Sequence, residues 1–441
     1  MLQTILELLE NRQYAKIREL LIQLDPADTA ALLGQLDERP LLLVFRLLPK
    51  ELAAEAFVEL DSDEQSVLIR SFSDNELKEV IDELYIDDAV DLIEEMPANV
   101  VRRILQQTDR ETRAQINEIL KYPKDSAGSL MTTEFVSLHS GITVADAFSA
   151  IRRRGVDKET IYNCYVRDDN SRLIGVVSVK DLLLADPDDE IDTVMQTNFI
   201  SVSTLEDKET VAQKFKHYDM LAMPVVDSEY RLVGIVTFDD AMDVLEEEAT
   251  EDIEMMAAIT PTDKPYMKTG VFETWRKRVP WLMVLMISAT FTSVIITRYE
   301  ASLTAFGLAA FMPMLMDTGG NAGGQASVTI IRGLSLGEIK MGDILRIIWK
   351  EFRVALLCGA TMAVVTFGKL MLVDHPTVQV AMVVSVTLLM SVIVAKIVGC
   401  TLPILAKRVG FDPAVMASPF ITTIVDALSL MIYFNIATMV L

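Results

Sequence analysis

The sequence predicts a multi-domain chain: an all-α superhelical N-terminal domain, an α/β tandem pair, a long connecting helix, and an α-helical membrane domain of five transmembrane helices. Three observations carry that prediction. Residues 1–254 hold 54 Asp and Glu against 25 Lys and Arg, and residues 255–441 hold 10 against 15, so the net charge of −24 divides into an acidic part at −29 and an apolar part at +5. About 120 residues of the acidic part form an internal repeat. The remainder contains five apolar runs of about the ~20 residues that a helix needs to cross a bilayer.

The first expected domain is 1–124. Apolar residues recur at helical spacing (Ile5, Leu8, Leu9; Ile17, Leu20, Leu21, Leu24), broken at Asp25-Pro26, Arg39-Pro40 and Pro49-Lys50. Short helices between such turns suggest a superhelical stack. The repeat follows as 125–187 and 188–248. Leu130-Met131-Thr132-Thr133-Glu134-Phe135-Val136-Ser137 is echoed by Val194-Met195-Gln196-Thr197-Asn198-Phe199-Ile200-Ser201. Each copy then runs through a helix into a strand–turn–strand containing Leu173-Ile174-Gly175-Val176 or Leu232-Val233-Gly234-Ile235, and a further helix. The last helix of the second copy does not stop. It continues as an acidic run through Glu246–Asp252, giving a connecting helix and linker over 239–268 that overlaps the second copy.

The membrane part is 269–441. Its five expected spans are Val279–Thr297, Ala301–Ile331, Phe352–Val373, Val378–Ala406 and Pro413–Leu441. Core helices of ten to fourteen residues would not give five such runs in succession. Arg276, Lys277 and Arg278 precede the first run, Arg332, Lys340, Arg346, Lys350 and Arg353 are expected in the second loop, and Lys407 and Arg408 in the fourth. Positive-inside counting therefore places the N-terminus in the cytosol and the C-terminus outside. No secretory leader is expected at Met1–Glu10, which lacks a basic start.

No catalytic constellation emerges, and the chain is not expected to be an enzyme. It shows no phosphate-binding glycine loop and no zinc spacing; Cys164, Cys358 and Cys400 are scattered, and His139, His217 and His375 are isolated. The chemistry lies in the membrane acids. Asp426 falls in the fifth run, where a carboxylate costs ~2.5–3.5 kcal/mol on insertion scales and should face water or a cation. A basic partner such as Lys396 is the alternative. Asp317 leads Asp317-Thr318-Gly319-Gly320-Asn321-Ala322-Gly323-Gly324-Gln325, where the glycines allow either close helix packing or an unwound backbone beside a cavity.

The order of domains, the stretch Pro313–Gln325 with Arg332-Gly333, and Asp412-Pro413 followed by Pro419 and Asp426 resemble the MgtE family of magnesium channels; the tandem repeat resembles a pair of CBS modules. The resemblance implies Mg²⁺ as both transported and regulatory ion, and a homodimer in the lipid bilayer of a bacterial inner membrane. It implies a pore on the two-fold axis at Asp426, with Asp317 and Asn321 beside it. It also implies cytosolic Mg²⁺ sensing by Glu55, Asp87, Asp91, Glu209, Asp219, Asp240, Asp243, Glu251, Asp252 and Asp412, which closes the path. Gly324 and Ser418 stand where some members carry Asn at the pore mouth. Asn163 and Met220 stand where some stack a nucleotide base, which argues against ATP and leaves Asp181 to meet a ribose. Divalent cations are the expected ligands and no nucleic acid is expected. The competing readings are an ion-driven Mg²⁺/Co²⁺ carrier and a CBS-regulated membrane metal sensor that transports nothing.

Overall fold

The computed structural model describes residues 1–262, 264, 266–299, 307–416 and 418–441, with the backbone alone at Asp157 and Ser418. It divides into two compact units, Met1–Leu245 and Glu246–Leu441.

Unit 1 begins with ten short helices, α1 (Leu2–Glu10) to α10 (Arg110–Ile119), including α5 (Lys50–Val58), α7 (Asp74–Ile81) and α8 (Ile86–Glu95). Side chains that accept from the first backbone N–H groups start several of them. Asp25 caps α3 (Pro26–Leu33), and Ser73 forms a reciprocal capping box with Glu76 on α7. Phe45, Phe57 and Phe72 meet in the core at ring separations of 5.5–6.4 Å.

The repeat forms two α/β modules. After α11 (Ala127–Leu130), β1 (Phe135–His139), β2 (Thr160–Arg167) and β3 (Leu173–Ser178) make one sheet, with α12 (Val144–Arg154), α13 (Val179–Leu184) and α14 (Ile191–Val194) around it. β4 (Val202–Ser203), β5 (Ala222–Val226) and β6 (Leu232–Thr237) make the second, with α15 (Lys208–Tyr218) and the nineteen-residue α16 (Phe238–Met256). In both, the first strand runs parallel to the second and the second antiparallel to the third.

The modules exchange their leading segments. Thr132 bridges to Ile235 of the second sheet, and Gln196 bridges to Val176 of the first. Glycine is required where they cross: a Cβ on Gly234 would sit 2.8 Å from the Thr132 carbonyl oxygen, and Gly175 receives the Met195 side chain.

In unit 2 the long helices are α17 (Val271–Arg298), α18 (Met312–Ser335), α19 (Ile344–Lys369), α20 (Val378–Val409) and α21 (Ser418–Val440). Among the described residues four helical segments are long and apolar enough to cross a membrane, Val271–Arg298, Met341–Asp374, Val378–Val409 and Pro413–Val440. The second expected span, Ala301–Ile331, is not one of them. α18 has 24 residues, but Asp317, Asn321, Gln325 and its glycines dilute its apolarity. Its expected start is also corrected. Residues 301–306 lie outside the described residues; Gly307 takes a left-handed φ of 64°, a 3-10 turn covers Leu308–Phe311, and Pro313 sits in the first turn of the helix. Likewise Arg346, Lys350 and Arg353, expected in a loop, belong to α19.

The glycines of α18 serve close packing, and the backbone there stays helical. Gly320 and Gly323 face Thr422 and Ile421 of α21, and the Gly323 carbonyl leaves no room for a Cβ on Gly399 of α20. Tyr433 donates to the Leu308 carbonyl at 3.1 Å and closes the opposite end of this bundle.

Gly399→Val should therefore push α20 off α18 at a cost of ~1–3 kcal/mol, lowering the melting temperature in detergent by several degrees. Gly342→Val, where a Cβ meets nothing within 4 Å, should leave it unchanged. Equal melting of the two variants would contradict the packing role.

Candidate functional site

In unit 1 the acids collect between the helical domain and the α/β pair. α8 begins with Ile86-Asp87-Asp88, so Asp87 and Asp91 share one face at i, i+4 and Asp88 flanks them. Facing them are Glu134 before β1, Glu159 before β2, and Asp239 and Asp240 in the first turn of α16. The Ile86 N–H donates to Glu134 Oε2 at 3.1 Å, tying α8 to the α/β pair. The Thr237 hydroxyl donates to Asp240 Oδ2 at 2.5 Å.

Asp87 is 7% exposed. Its burial, reinforced by the Asp240 charge, holds its carboxyl well above the usual range. Burial, with Asp240 and Asp239 nearby, pushes Asp88 up to about 7. Glu159 is pushed to about 8 by burial and by Asp88, and its Oε2 is buried without a hydrogen-bond partner. Asp240 is also raised, chiefly by burial, with the Thr237 hydrogen bond opposing. Asp91 stands exposed at the rim with Asp240, Asp88, Glu94 and Glu95 as charged neighbours. No group of three or more His, Cys, Asp or Glu among the described residues forms a ready metal cage.

Of the sensor residues expected from sequence, Asp87, Asp91 and Asp240 come together here, with Asp243 acting on Asp240 from one turn along α16. Glu55 of α5 is exposed, and Glu59, one turn later, is the acid that acts on Asp88. Glu209 accepts from Gln213 at 3.0 Å on α15, and Asp219 ends that helix in a left-handed conformation, φ 51°. Asp181, the third residue of α13, completes a capping box with Ser178, its Oδ2 accepting from the Ser178 hydroxyl at 2.7 Å. Asp88, Asp239, Glu134 and Glu159 were missed. Only Asp88, between two expected residues, and Asp239, next to Asp240, carried a signal.

Unit 2 holds the remaining residues. Asp252 Oδ2 accepts from the Ser335 hydroxyl at 2.8 Å, and the adjacent Met255 and Met256 pack on Ile331 and Ala414. Burial raises the Asp252 carboxyl; the Asp412 charge adds to this, while Ser335 and Lys407 oppose it. Asp412 Oδ1 itself accepts from the Ala414 N–H at 2.6 Å. Glu251 precedes Asp252 on the same helix.

Asp426 is half-buried on α21, about 12 Å along it at 1.5 Å per residue. The charge that acts on it is Asp317. Lys396 is not its partner: that ammonium pairs with Glu351 of α19 at 3.7 Å, with side chains 7% and 13% exposed. Glu351 was missed from the sequence. While one face of α18 packs, Asp317, Asn321 and Gln325 stand exposed at i, i+4 and i+8 on another.

These features define a protein with membrane-spanning helices joined to an acidic helical domain and a tandem α/β pair. A family profile described as a divalent cation transporter matches residues 312–436, one for the MgtE intracellular N domain matches 24–125, and one for CBS domains matches 127–188 and 190–247. The magnesium transporter MgtE of Thermus thermophilus is 38% identical over 99% of this chain and 97% of its own length. That of Bacillus subtilis is 32% identical over 98% and 96%. A crystal structure of the cytosolic domain of the Mg²⁺ channel MgtE in complex with ATP superposes at TM-score 0.53 and 37% identity, covering 55% of this chain and all of that one. The chain belongs to the MgtE family of magnesium transporters, which are not enzymes.

The raised carboxyls of unit 1 have a pH consequence. A group whose folded pKa lies above its unfolded value stabilises below the ordinary carboxylate range and loses that contribution as pH rises through the folded value. Without Mg²⁺, α8 and the start of α16 should thus be more protected at pH 6 than at pH 8.5, the loss falling near 7–8 where Asp88 and Glu159 ionise. Hydrogen exchange of 86–95 and 238–245, corrected for intrinsic rates, measures this. Glu159→Gln should flatten the difference, and a pH-independent parent would contradict the assignment.

Proposed function

We propose that the chain forms a Mg²⁺-selective path across a bacterial inner membrane, works as a homodimer, and is closed by cytosolic Mg²⁺. The observation that carries the reading is Asp426. It is a carboxylate inside an apolar bundle, and the cation expected from sequence as its alternative partner, Lys396, is committed to Glu351. In hydrocarbon such a group needs water or a cation. The exposed stripe Asp317, Asn321 and Gln325 adds polar oxygens on the neighbouring helix and cannot face lipid. A second copy across a two-fold axis would enclose both, with α18 counted as the second of five spans, the N-terminus cytosolic and the C-terminus outside. Mg²⁺ keeps several waters while it binds one or two carboxylates. Two Asp426 groups on an axis would suit a hydrated divalent ion.

The regulatory ion fits the acids of unit 1, an all-oxygen, uncompensated donor set. Asp87, Asp91 and Asp240, with Asp88 and Glu159, would hold it, and Asp252 with Asp412 form the corresponding acidic pair in unit 2. The ion would supply positive charge where these residues otherwise repel, so the arrangement that gathers them binds it better and is favoured by it. Glu55, Glu209, Asp219, Asp243 and Glu251 would extend the acidic surface. A relative's cytosolic domain has been solved with ATP; here Asp181 keeps Oδ1 for a ribose, and Asn163 and Met220 offer no aromatic face.

Reconstituted Asp426→Ala should lose Mg²⁺ flux while remaining folded, and Asp426→Asn should impair it at nearly constant volume. Normal flux in a well-folded Ala variant would remove Asp426 from the path. Neutralising Asp87, Asp91, Asp240 and Asp243 together should leave flux intact at cytosolic Mg²⁺ that silences the parent. Silencing that persists, or that monovalent salt reproduces equally, would place the sensor elsewhere.

A further inference from the structure

One end of unit 2 carries a basic cleft that neither the ion path nor the acidic surfaces use. The 3-10 turn Met341–Asp343 leads into α19 beside the end of α20, and Met341, Gly342, Lys407 and Arg408 line a cleft of about 580 Å³. The Glu351–Lys396 pair accounts for this meeting. The helices run antiparallel, and the same number of residues outward from each partner brings Met341 level with Ala406, next to Lys407. Gly342 leaves the floor open, because a Cβ there meets nothing within 4 Å.

The charges of the cleft are unevenly compensated. Arg408 is exposed and has no partner among the described residues. Lys407 makes one long bond, 3.4 Å, to the Leu334 carbonyl, and Asp252 feels its charge. The acid nearest in sequence, Asp343, accepts from the Lys340 N–H at 3.2 Å and pairs with Arg346 at 3.7 Å. An anion entering the cleft therefore meets Arg408 first.

The surroundings say what kind of anion. Leu345 is 78% exposed, Val409 72% and Leu405 45%, all on the helix ends that form the cleft. Further along α19, Trp349 stacks on Phe352 at 5.8 Å with Arg353 over the Trp349 ring. Aromatic and basic side chains in this combination mark the level where a membrane meets water. Inorganic phosphate would satisfy the two cations and leave the apolar side chains in water. An amphiphile with an anionic head satisfies both.

We infer that this cleft binds the phosphate headgroup of an anionic lipid, with Arg408 and Lys407 supplying the charge and Leu345, Leu405 and Val409 meeting the acyl chains. The inference rests on the proposed orientation, in which this end faces the inner leaflet. Basic pockets between spans on that side suit anionic headgroups, each cation contributing about fivefold in affinity.

The test uses the full chain in mild detergent, melted with and without dioleoylphosphatidylglycerol, dioleoylphosphatidylcholine or inorganic phosphate. Phosphatidylglycerol should raise the parent's melting temperature, and phosphatidylcholine and phosphate should not. Arg408→Gln with Lys407→Gln should lose most of that shift; Arg408→Gln alone, at an exposed unpaired side chain, should weaken lipid affinity about fivefold. Arg298→Gln, at the far end of α17, should keep the full shift. An undiminished shift in the Arg408 variants overturns the site, and a shift reproduced by phosphate alone overturns the lipid. Melting needs no ion flux, so failure here is separate from failure of the Asp426 assignment.

Discussion

Carboxylates that face one another without cations between them raise the free energy of any arrangement that brings them together. In unit 1, α8 and α16 present Asp87, Asp88 and Asp240 to each other, with Glu134 and Glu159 from the strand entries alongside. Two like charges 4 Å apart repel by about 4 kcal/mol at the effective dielectric of a protein surface. That is comparable to a sizeable fraction of a domain's net stability. Burial first, and this repulsion second, raise their pKa values, so the helix packing is tolerated with protons kept on some of these acids. A divalent ion removes the same repulsion without a proton, so ion and packing become linked through charge alone.

The membrane unit manages its charges differently. Lys396 and Glu351 are buried as a pair, which costs desolvation of both ions and confers little net stability. What the pair does is fix which turn of α19 meets which turn of α20. Gly399 against Gly323 fixes α20 on α18 in the same way, by excluding any side chain between the backbones. With α20 held on both sides, Asp426 is left on α21 with Asp317 as its charged neighbour and no cation of its own among the described residues.

Local pattern made much of this legible. The repeat around Met131 and Met195 announced two modules, and the short helices of unit 1 followed from apolar spacing and capping residues. Asp87 and Asp91 could be placed on one face because i, i+4 spacing is a property of the helix alone. Glu134 and Glu159 could not, since strand entries bring them to α8 through tertiary packing. The exchange of leading segments was equally hidden; nothing in Gly175 or Gly234 says which module's methionine will fill the space. In the membrane part, Lys396 was visible as a charge in an apolar run, but its partner Glu351 lies on another helix, between Lys350 and Arg353, which were expected in a loop. At the start of α18, hydropathy does not register the left-handed Gly307, the 3-10 turn after it or Pro313, which mark where the helix begins at Met312.

In the proposed function, the two acidic settings would ask different things of the same ion. Asp426 stands in a narrow apolar bundle, where a single carboxylate per chain suffices because the alternative to a hydrated cation is hydrocarbon. The acids of unit 1 border water, where screening weakens any one of them over ~8 Å, so they must act in number and partly out of solvent. Mg²⁺ suits both because it gives up its waters reluctantly and does not need a closed cage of protein ligands. An ion that demanded full dehydration would require donors already set at bonding distance. Carboxylates that converge only loosely, from elements that can separate, instead make ion binding depend on the arrangement of the helices. In the proposed function, that dependence would allow the transported ion to report on its own concentration.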